Sequence, residues 1–270
     1  MAFLRAIKRS ELAVDMGTYP LSLPQIAAIE RLSFDAPVTL IAGDNGSGKT
    51  TLMELVAALT KALRIGDDSV DKRAYNAFLS ASRAFRPEFA QKPQRSFFFL
   101  AEDFTRYIDA REERIRAERA DLERIEREYV GRSSYAKSLA TLPHASGLNA
   151  MESMYTGELS EQSHGEGYID FFGSRLKPRG LYLMDEPEGA LSYYNQFVLM
   201  NMIADAVRAD CQFIVSTHSP VLLAYPGALL YSFADGSIQE TEYGRLENVS
   251  FLKSFLAEPE RYLRHLGPDD

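Results

Sequence analysis

Cysteine and long apolar runs are scarce in this sequence. Its 270 residues contain one cysteine, Cys211, so an intramolecular disulfide is excluded. No window approaches the roughly 18 uninterrupted apolar residues that a membrane-spanning helix requires. The first ten residues include Arg5, Lys8 and Arg9, and are too charged and too short for an export signal. These absences predict a cytoplasmic chain without membrane insertion.

Positive charge is also in short supply. Lysine and arginine number 30 against 38 aspartates and glutamates, so the net charge is −8. This balance argues against a stand-alone nucleic-acid coat, which is normally basic. Basic and aromatic residues alternate between residues 65 and 96, where two interpretations stay open. They form either a solvated face with aromatic anchors, which the acidic total favours, or a patch that contacts phosphate or nucleic acid.

What the chain does have is a glycine-rich stretch at residues 43–50, which reads G-D-N-G-S-G-K-T. This is the G-x-x-x-x-G-K-T pattern of phosphate-binding loops, in which backbone N–H groups point inward around a phosphate. The lysine of the pattern reaches the β- and γ-phosphates, and the threonine hydroxyl ligates Mg²⁺. The predicted nucleotide-binding residues are Gly43, Asp44, Asn45, Gly46, Ser47, Gly48, Lys49, Thr50 and Thr51. The alternative is a glycine-rich turn with a surface lysine.

The flanks of this loop have the context that the pattern requires. Residues 38–42 are apolar and β-branched, which predicts a buried strand, and residues 51–59 are typical of a helix. A helix that begins at the loop adds the positive end of its dipole to the phosphate site. Strand, loop and helix together therefore predict nucleotide binding.

Two further apolar strands end in polar residues. Residues 181–184 precede Asp185 and Glu186, and residues 213–215 precede a Ser-Thr-His triplet that ends at His218. Parallel strands bring their carboxyl ends to one edge of a sheet, where nucleotide sites lie in such folds. Carboxylates there usually face a metal. For His218 alone, a packed or hydrogen-bonded histidine is the alternative.

The middle of the chain differs in character. Residues 105–130 are charged, and an apolar residue recurs every seven positions from Ile108 to Tyr129, which predicts an amphipathic helix rather than a coiled coil. Residues 131–158 have few apolar runs and predict a loop or lid. The tetrapeptide S-H-G-E, from Ser163 through Gly165 to Glu166, fits a helix-capping box when considered alone.

Alternating strands and helices predict an α/β fold with a largely parallel sheet covered by helices. We expect one domain over residues 1–270, with a helical or lid insertion at about 103–160. The C-terminal part predicts a hairpin with a turn at residues 235–236, followed by a helix that Pro259 interrupts.

The four motifs occur in a fixed order: phosphate loop, S-H-G-E, D-E-P-E and S-T-H-S-P. The set resembles the ABC-type ATPase superfamily. It is most similar to small stand-alone ATPases with an S-H-G-E signature, which are grouped with SMC-like and AAA-labelled ATPases. The resemblance covers nearly the whole chain and implies a P-loop NTPase fold, with an ABC-ATPase-like mixed sheet.

The resemblance also implies roles at the site. The phosphate loop holds the triphosphate of ATP, and Thr50 with Asp185 organises Mg²⁺. Glu186 is the general base or positions the attacking water, and His218 contacts the γ-phosphate beside Lys49. Glu102 stands where the family has a glutamine, and it is a further candidate for metal contact.

The signature residues Ser163 and Gly165 imply a second copy of the chain, because in the family they meet the γ-phosphate of the opposite subunit. The expected assembly is a head-to-tail homodimer with ATP at its interface. Ser192 replaces the aspartate that ends the family's loop after D-E-P, which places communication across the dimer in doubt but leaves ATP binding intact.

The leading functional hypothesis is an ATPase whose dimer opens and closes to drive a DNA-maintenance or defence-type process, acting with a further protein partner or on DNA. Two alternatives stay open. One is the ATP-binding subunit of a membrane transporter, and the other is a nucleotide-dependent binding switch with little turnover.

Overall fold

The structure is a computed structural model, and it describes residues 2–12, 14–65, 72–131, 133–152, 164–234 and 236–264. The strands are β1 Leu4–Arg9, β2 Arg31–Ser33, β3 Val38–Gly43, β4 Leu63–Ile65, β5 Phe85–Phe89, β6 Arg95–Leu100, β7 Gly180–Asp185, β8 Gln212–Ser216, β9 Leu229–Ala234 and β10 Ser237–Glu240.

The helices are α1 Pro24–Ala27, α2 Lys49–Thr60, α3 Lys72–Ala81, α4 Ala101–Glu128, α5 Ser134–Glu152, α6 His164–Arg175, α7 Tyr193–Arg208, α8 Glu247–Ala257 and α9 Pro259–Leu263. Short 3-10 helices cover Ser82–Ala84, Pro187–Ala190, Leu222–Ala224 and Tyr243–Arg245. Each helix in the described part of the chain is either too short or too polar to cross a lipid bilayer.

The strands form two sheets. A large sheet has the order β10-β9-β3-β8-β7-β6-β4, and a small antiparallel sheet has the order β2-β1-β5. Neighbours in the large sheet are parallel, except that β10 joins β9 as an antiparallel hairpin. Every residue of β7 and of β8 is buried, as expected of parallel strands covered on both faces.

The core lies on both faces of the large sheet, because successive strand residues point to opposite sides. Leu181 and Leu183 of β7 join a cluster with α2 and the small sheet, whereas Tyr182 and Met184 join a cluster with α6 and α7. Helices packed on both faces thus hold the strand ends, and the polar residues that follow them, in position relative to one another.

A buried glutamine joins the two sheets. Gln212, at the first position of β8, is fully buried, and its Oε1 accepts hydrogen bonds of 2.8 Å from the backbone N–H groups of Phe3 and Leu4. Its Nε2 donates to the carbonyl oxygens of Leu4 and Phe34 at 2.9 Å. The amide therefore satisfies backbone groups of the small sheet from inside the large one.

The predicted helix over residues 105–130 is confirmed as α4, which begins at Ala101. The predicted loop or lid over 131–158 is wrong for Ser134–Glu152, which form α5. Polar contacts join the two helices: His144 Nδ1 lies 2.6 Å from Glu118 Oε2, and Lys137 Nζ lies 3.7 Å from Glu126 Oε1. Packing against α4 overrides the weak helix propensity of α5. Residues 153–158 lie outside the described part.

The C-terminal predictions hold. β9 and β10 form the expected hairpin, and the helix that was expected to break at Pro259 ends at Ala257 and resumes at Pro259. The insertion at about 103–160 stays a prediction. Helices α4 and α5 are the described elements that fall within it.

Candidate functional site

The phosphate loop joins β3 to α2. Gly43 ends β3, the segment 44–48 forms the loop, and Lys49, Thr50 and Thr51 open α2. Gly46 and Gly48 have φ angles of 79° and 99°, in the left-handed region that glycine adopts without strain. A Cβ on Gly48 would lie 2.5 Å from Gln25 Nε2, which donates to the carbonyl of Ser47. The positive φ angles therefore favour glycine at both positions.

The loop lysine is buried inside this turn. Its side chain is 3% exposed, and Nζ donates to the carbonyl oxygens of Gly43 at 2.8 Å and Asp44 at 2.9 Å. Nζ also lies 3.2 Å from Glu186 Oε1. A buried ammonium needs such partners because desolvation disfavours its charge. Lys49 is thus not the surface lysine of the alternative interpretation.

Asp185 occupies the carboxyl end of β7, two strands from the phosphate-loop strand in the sheet order. It is buried, and its carboxylate accepts hydrogen bonds from the hydroxyls of Ser216 and Thr50. Burial raises the pKa of Asp185 above its usual value. The two hydrogen bonds and the charge of Lys49 act in the opposite direction, and the nearby Glu186 adds to the rise.

The Thr50–Asp185 pair suits a magnesium ion that shares its ligands with a substrate. Mg²⁺ takes oxygen ligands, and in nucleotide sites one or two protein groups bind it together with waters and phosphate oxygens. Within the described ranges, no group of three or more histidine, cysteine, aspartate or glutamate residues forms a self-sufficient metal site. Glu102 lies in the first turn of α4, and its side chain is outside the described part, so its metal role stays a prediction.

Glu186 follows Asp185 with a backbone conformation that is uncommon for glutamate. Its φ and ψ are 48° and 51°, in the left-handed region, and its N–H donates to the carbonyl of Ser216 at 2.9 Å. The side chain reaches back toward the phosphate loop, where Oε1 contacts Lys49. The same oxygen lies 3.9 Å from His218 Nδ1. A strained residue held among charged groups at a strand end is typical of a functional position.

His218 lies in the loop after β8, and its side chain is 50% exposed. Its Nδ1 lies 3.1 Å from Glu188 Oε1, so one edge of the imidazole faces a buried carboxylate. The structure thus brings Lys49, Asp185, Glu186 and His218 to one edge of the sheet, as the sequence predicts.

Glu188 was not among the predicted site residues. Its Oε1 accepts hydrogen bonds from the Thr217 hydroxyl at 2.7 Å, from His218 N–H at 2.7 Å and from Ser219 N–H at 3.2 Å. The signal in the sequence is the second glutamate of D-E-P-E. Its partners follow a different strand, so local spacing does not identify them.

The structure does not connect the predicted signature residues with this cluster. Ser163 lies outside the described residues, and Gly165 lies in the first turn of α6, which begins at His164. Their contact with a second copy stays a prediction. Ser192, which replaces the expected aspartate, is the N-cap of α7 and accepts a hydrogen bond from Asn195 N–H at 3.2 Å.

Comparison with known proteins gives one family match. A family model described as an AAA domain matches residues 26–145, which include the phosphate loop, α2 and α4. No curated protein sequence matches the chain significantly.

Solved structures with similar folds include SMC head domains and transporter cassettes. The Smc head domain of Pyrococcus furiosus, with an extended coiled coil and bound to the C-terminal domain of ScpA, has a TM-score of 0.48 at 13% identity, over 96% of this chain and 100% of that chain. The SMC head domain from Thermotoga maritima has a TM-score of 0.43 at 14% identity, over 89% and 98%. An ATP-binding cassette of an ABC transporter, in its ADP conformation, has a TM-score of 0.45 at 18% identity, over 99% and 100%.

The conclusion on fold follows from the chain's own geometry and from the AAA match. A phosphate loop joins a central parallel strand to a helix, and the carboxylates of a second strand meet that loop. The chain has the predicted fold class, an α/β P-loop NTPase with an ABC-ATPase-like mixed sheet covered by helices.

Proposed function

We propose that this chain is an ATPase that converts ATP and water to ADP and phosphate at the site around Lys49. One observation carries the proposal: Glu186 Oε1 lies 3.2 Å from Lys49 Nζ, while the neighbouring Asp185 bonds Thr50. The groups that we assign as base, phosphate-binding cation and metal ligands therefore lie close together at one edge of the sheet. Phosphoryl transfer requires these groups, because it depends on positioning and charge stabilisation more than on covalent catalysis.

The loop is suited to hold a triphosphate. The Ser47 hydroxyl is buried, and it has no hydrogen-bond partner within the described residues. The amino-terminal end of α2, a helix of 12 residues, opens directly onto the loop. Bound Mg²⁺ would neutralise phosphate charge, with Thr50 and Asp185 as its protein ligands.

The Lys49–Glu186 contact suggests an order of events. A phosphate that engages the Lys49 ammonium competes with the Glu186 carboxylate for the same charge. Glu186 is one-third exposed, so once released from Lys49 it can accept the proton of an attacking water. Substrate binding and activation of the base are thereby coupled through one ion pair.

Glu186→Gln tests the assignment of the base. The amide has the shape of the carboxylate but cannot take a proton, so we expect phosphate release to fall by about 100-fold or more, with ATP binding retained. The matched control is Glu242→Gln, which changes a side chain that is 76% exposed and pairs with Arg245. Unchanged turnover in Glu186→Gln would show that the base is misassigned. A wild-type protein that binds ATP without releasing phosphate would favour the binding-switch alternative.

We further propose that ATP is bound between two copies of the chain, with Ser163 and Gly165 of one copy facing the nucleotide of the other. The support is the S-H-G-E signature at the start of α6, with its resemblance to dimeric ATPases. Such an interface would close by two-fold symmetry.

The process that the ATPase drives is proposed to be DNA maintenance or defence, by the same resemblance. Arg83, Arg86, Lys92 and Arg95 are exposed and offer basic side chains to DNA despite the acidic total. We expect duplex DNA to be retained in an ATP-dependent and salt-sensitive manner in a filter-binding assay. Absence of retention at low salt with ATP present would contradict the DNA proposal without affecting the ATPase proposal.

A further inference from the structure

We propose that Glu188 is a positioning residue that orients the His218 imidazole toward the nucleotide. The inference rests on the proposed ATPase function, and it adds a second carboxylate to the site. Glu186 would act on water directly, whereas Glu188 would act only through the histidine.

The Glu188 carboxylate is buried, and its two oxygens have different surroundings. Its side chain is 5% exposed, and Oε1 accepts the hydrogen bonds from Thr217 and from the backbone of the 217–219 loop. The other oxygen, Oε2, is buried and has no hydrogen-bond partner among the described residues. Burying a charge with one oxygen unpaired is costly, and a neutral side chain would hold the loop with less desolvation. We therefore infer that the negative charge of Glu188 has a role beyond holding this loop.

The imidazole of His218 lies closer to Glu188 than to Glu186. His218 Nδ1 lies 3.1 Å from Glu188 Oε1, within hydrogen-bonding distance, but 3.9 Å from Glu186 Oε1. With the proton on Nδ1, the ring donates to Glu188 and presents Nε2 on its opposite edge. A carboxylate that holds one ring nitrogen commonly sets the tautomer and orientation of the other.

Glu188 is close to the proposed base in the sequence. It lies in the 3-10 helix Pro187–Ala190, which begins directly after the proposed base, Glu186. In this turn, Glu186 contacts Lys49 and Glu188 contacts His218. A second contact secures the histidine loop: Ser219 Oγ donates to Gln196 Oε1 at 2.5 Å, and Gln196 Nε2 donates to the carbonyl of Leu191 at 3.1 Å. The base and the histidine are thereby held as one unit.

A double-mutant cycle separates positioning from a general structural role. Glu188→Gln keeps an oxygen for the backbone N–H groups and removes the charge, so we expect kcat to fall about tenfold, with little change in KM for ATP. In a His218→Ala background, the same substitution should have no further effect on kcat, because its target is gone. An equal loss in both backgrounds would overturn the proposal.

A measurement without turnover tests the same claim. In nucleotide-free protein labelled with ¹⁵N-histidine, at about pH 8.5 where an ordinary histidine is neutral, we expect His218 to carry its proton on Nδ1. His218→Asn identifies the signal, since it removes one of four histidines. We expect the proton to move to Nε2 in Glu188→Ala, which removes the acceptor, and to stay on Nδ1 in Glu188→Gln, whose amide oxygen still accepts. A proton on Nε2 in the wild type would overturn the positioning role, even if hydrolysis is confirmed. If hydrolysis fails, a proton on Nδ1 would still support the Glu188–His218 contact.

Discussion

At the residue scale, the site holds a carboxylate that is less stable as an anion than it would be in water. Burial raises the pKa of Asp185 above its ordinary 3.8. Between 3.8 and that raised value, the folded chain binds more protons than the unfolded chain. This contribution to stability therefore falls as the pH rises through the window, and the loss persists at neutral pH.

Asp185→Asn should remove this penalty. The amide carries no charge to desolvate and can still form hydrogen bonds with the Ser216 and Thr50 hydroxyls, so we expect the nucleotide-free variant to have a higher Tm than the wild type at neutral pH. Thermal unfolding measured from acid to neutral pH, for both proteins, checks the sign. A difference in Tm that does not grow with pH would contradict it. The same variant should lose Mg²⁺-dependent hydrolysis.

The residues that were predicted and those that were missed differ in a physical way. Gly46, Gly48 and Lys49 act through their own turn, so spacing along the chain is sufficient to identify them. Asp185 and Glu186 were found because a strand end is a local pattern. Glu188 accepts hydrogen bonds from backbone groups that follow another strand, and only the folded chain brings these together.

At the scale of elements, one buried side chain adds hydrogen bonds to the apolar contacts that attach the small sheet. Gln212→Leu keeps a similar volume but leaves the N–H groups of Phe3 and Leu4 without the acceptor that they have now. Each buried group without a partner costs about 1–3 kcal/mol, so we expect the free energy of unfolding to fall by about 3 kcal/mol. Urea denaturation measures it. The control, Gln239→Leu on the exposed face of β10, should change it little, and equal effects would contradict the role of Gln212.

The elements themselves were predictable where the pattern was strong. β3, β7 and β8 are uninterrupted apolar runs, and α2 follows the loop that requires it. Helix α5 was missed because it contains Pro143 and Gly147, which lower helix propensity, and because its contacts with α4 do not show in its own sequence. Tertiary packing decided that element.

At the scale of the whole molecule, we have proposed that a second copy of the chain completes the site. Glu186→Gln should accumulate the ATP-bound form, so we expect its mass to double with ATP and Mg²⁺ in sedimentation or light scattering, and to return to that of the monomer when ADP replaces ATP. In the wild type, the dimer should decay as ATP is consumed.

A companion variant tests the interface itself. Ser163→Ala in the Glu186→Gln background should weaken this dimer and leave ATP binding by each monomer unchanged. A Glu186→Gln protein that binds ATP and stays monomeric would contradict the shared site, and hydrolysis by the monomer would then be the remaining form of the ATPase proposal.

The order of strands has a consequence for how the protein is made. β3 ends in the phosphate loop and leaves the ribosome early, yet its two neighbours in the sheet, β8 and β9, come from the far end of the sequence. A nascent chain therefore carries a glycine-rich loop whose strand lacks both of its neighbours until β8 and β9 have been translated. Such long-range parallel pairing forms slowly. A nascent chain that stops before β8 would carry the motif without the neighbouring strands that shape it, so we expect nucleotide binding only after β8 and β9 have been made.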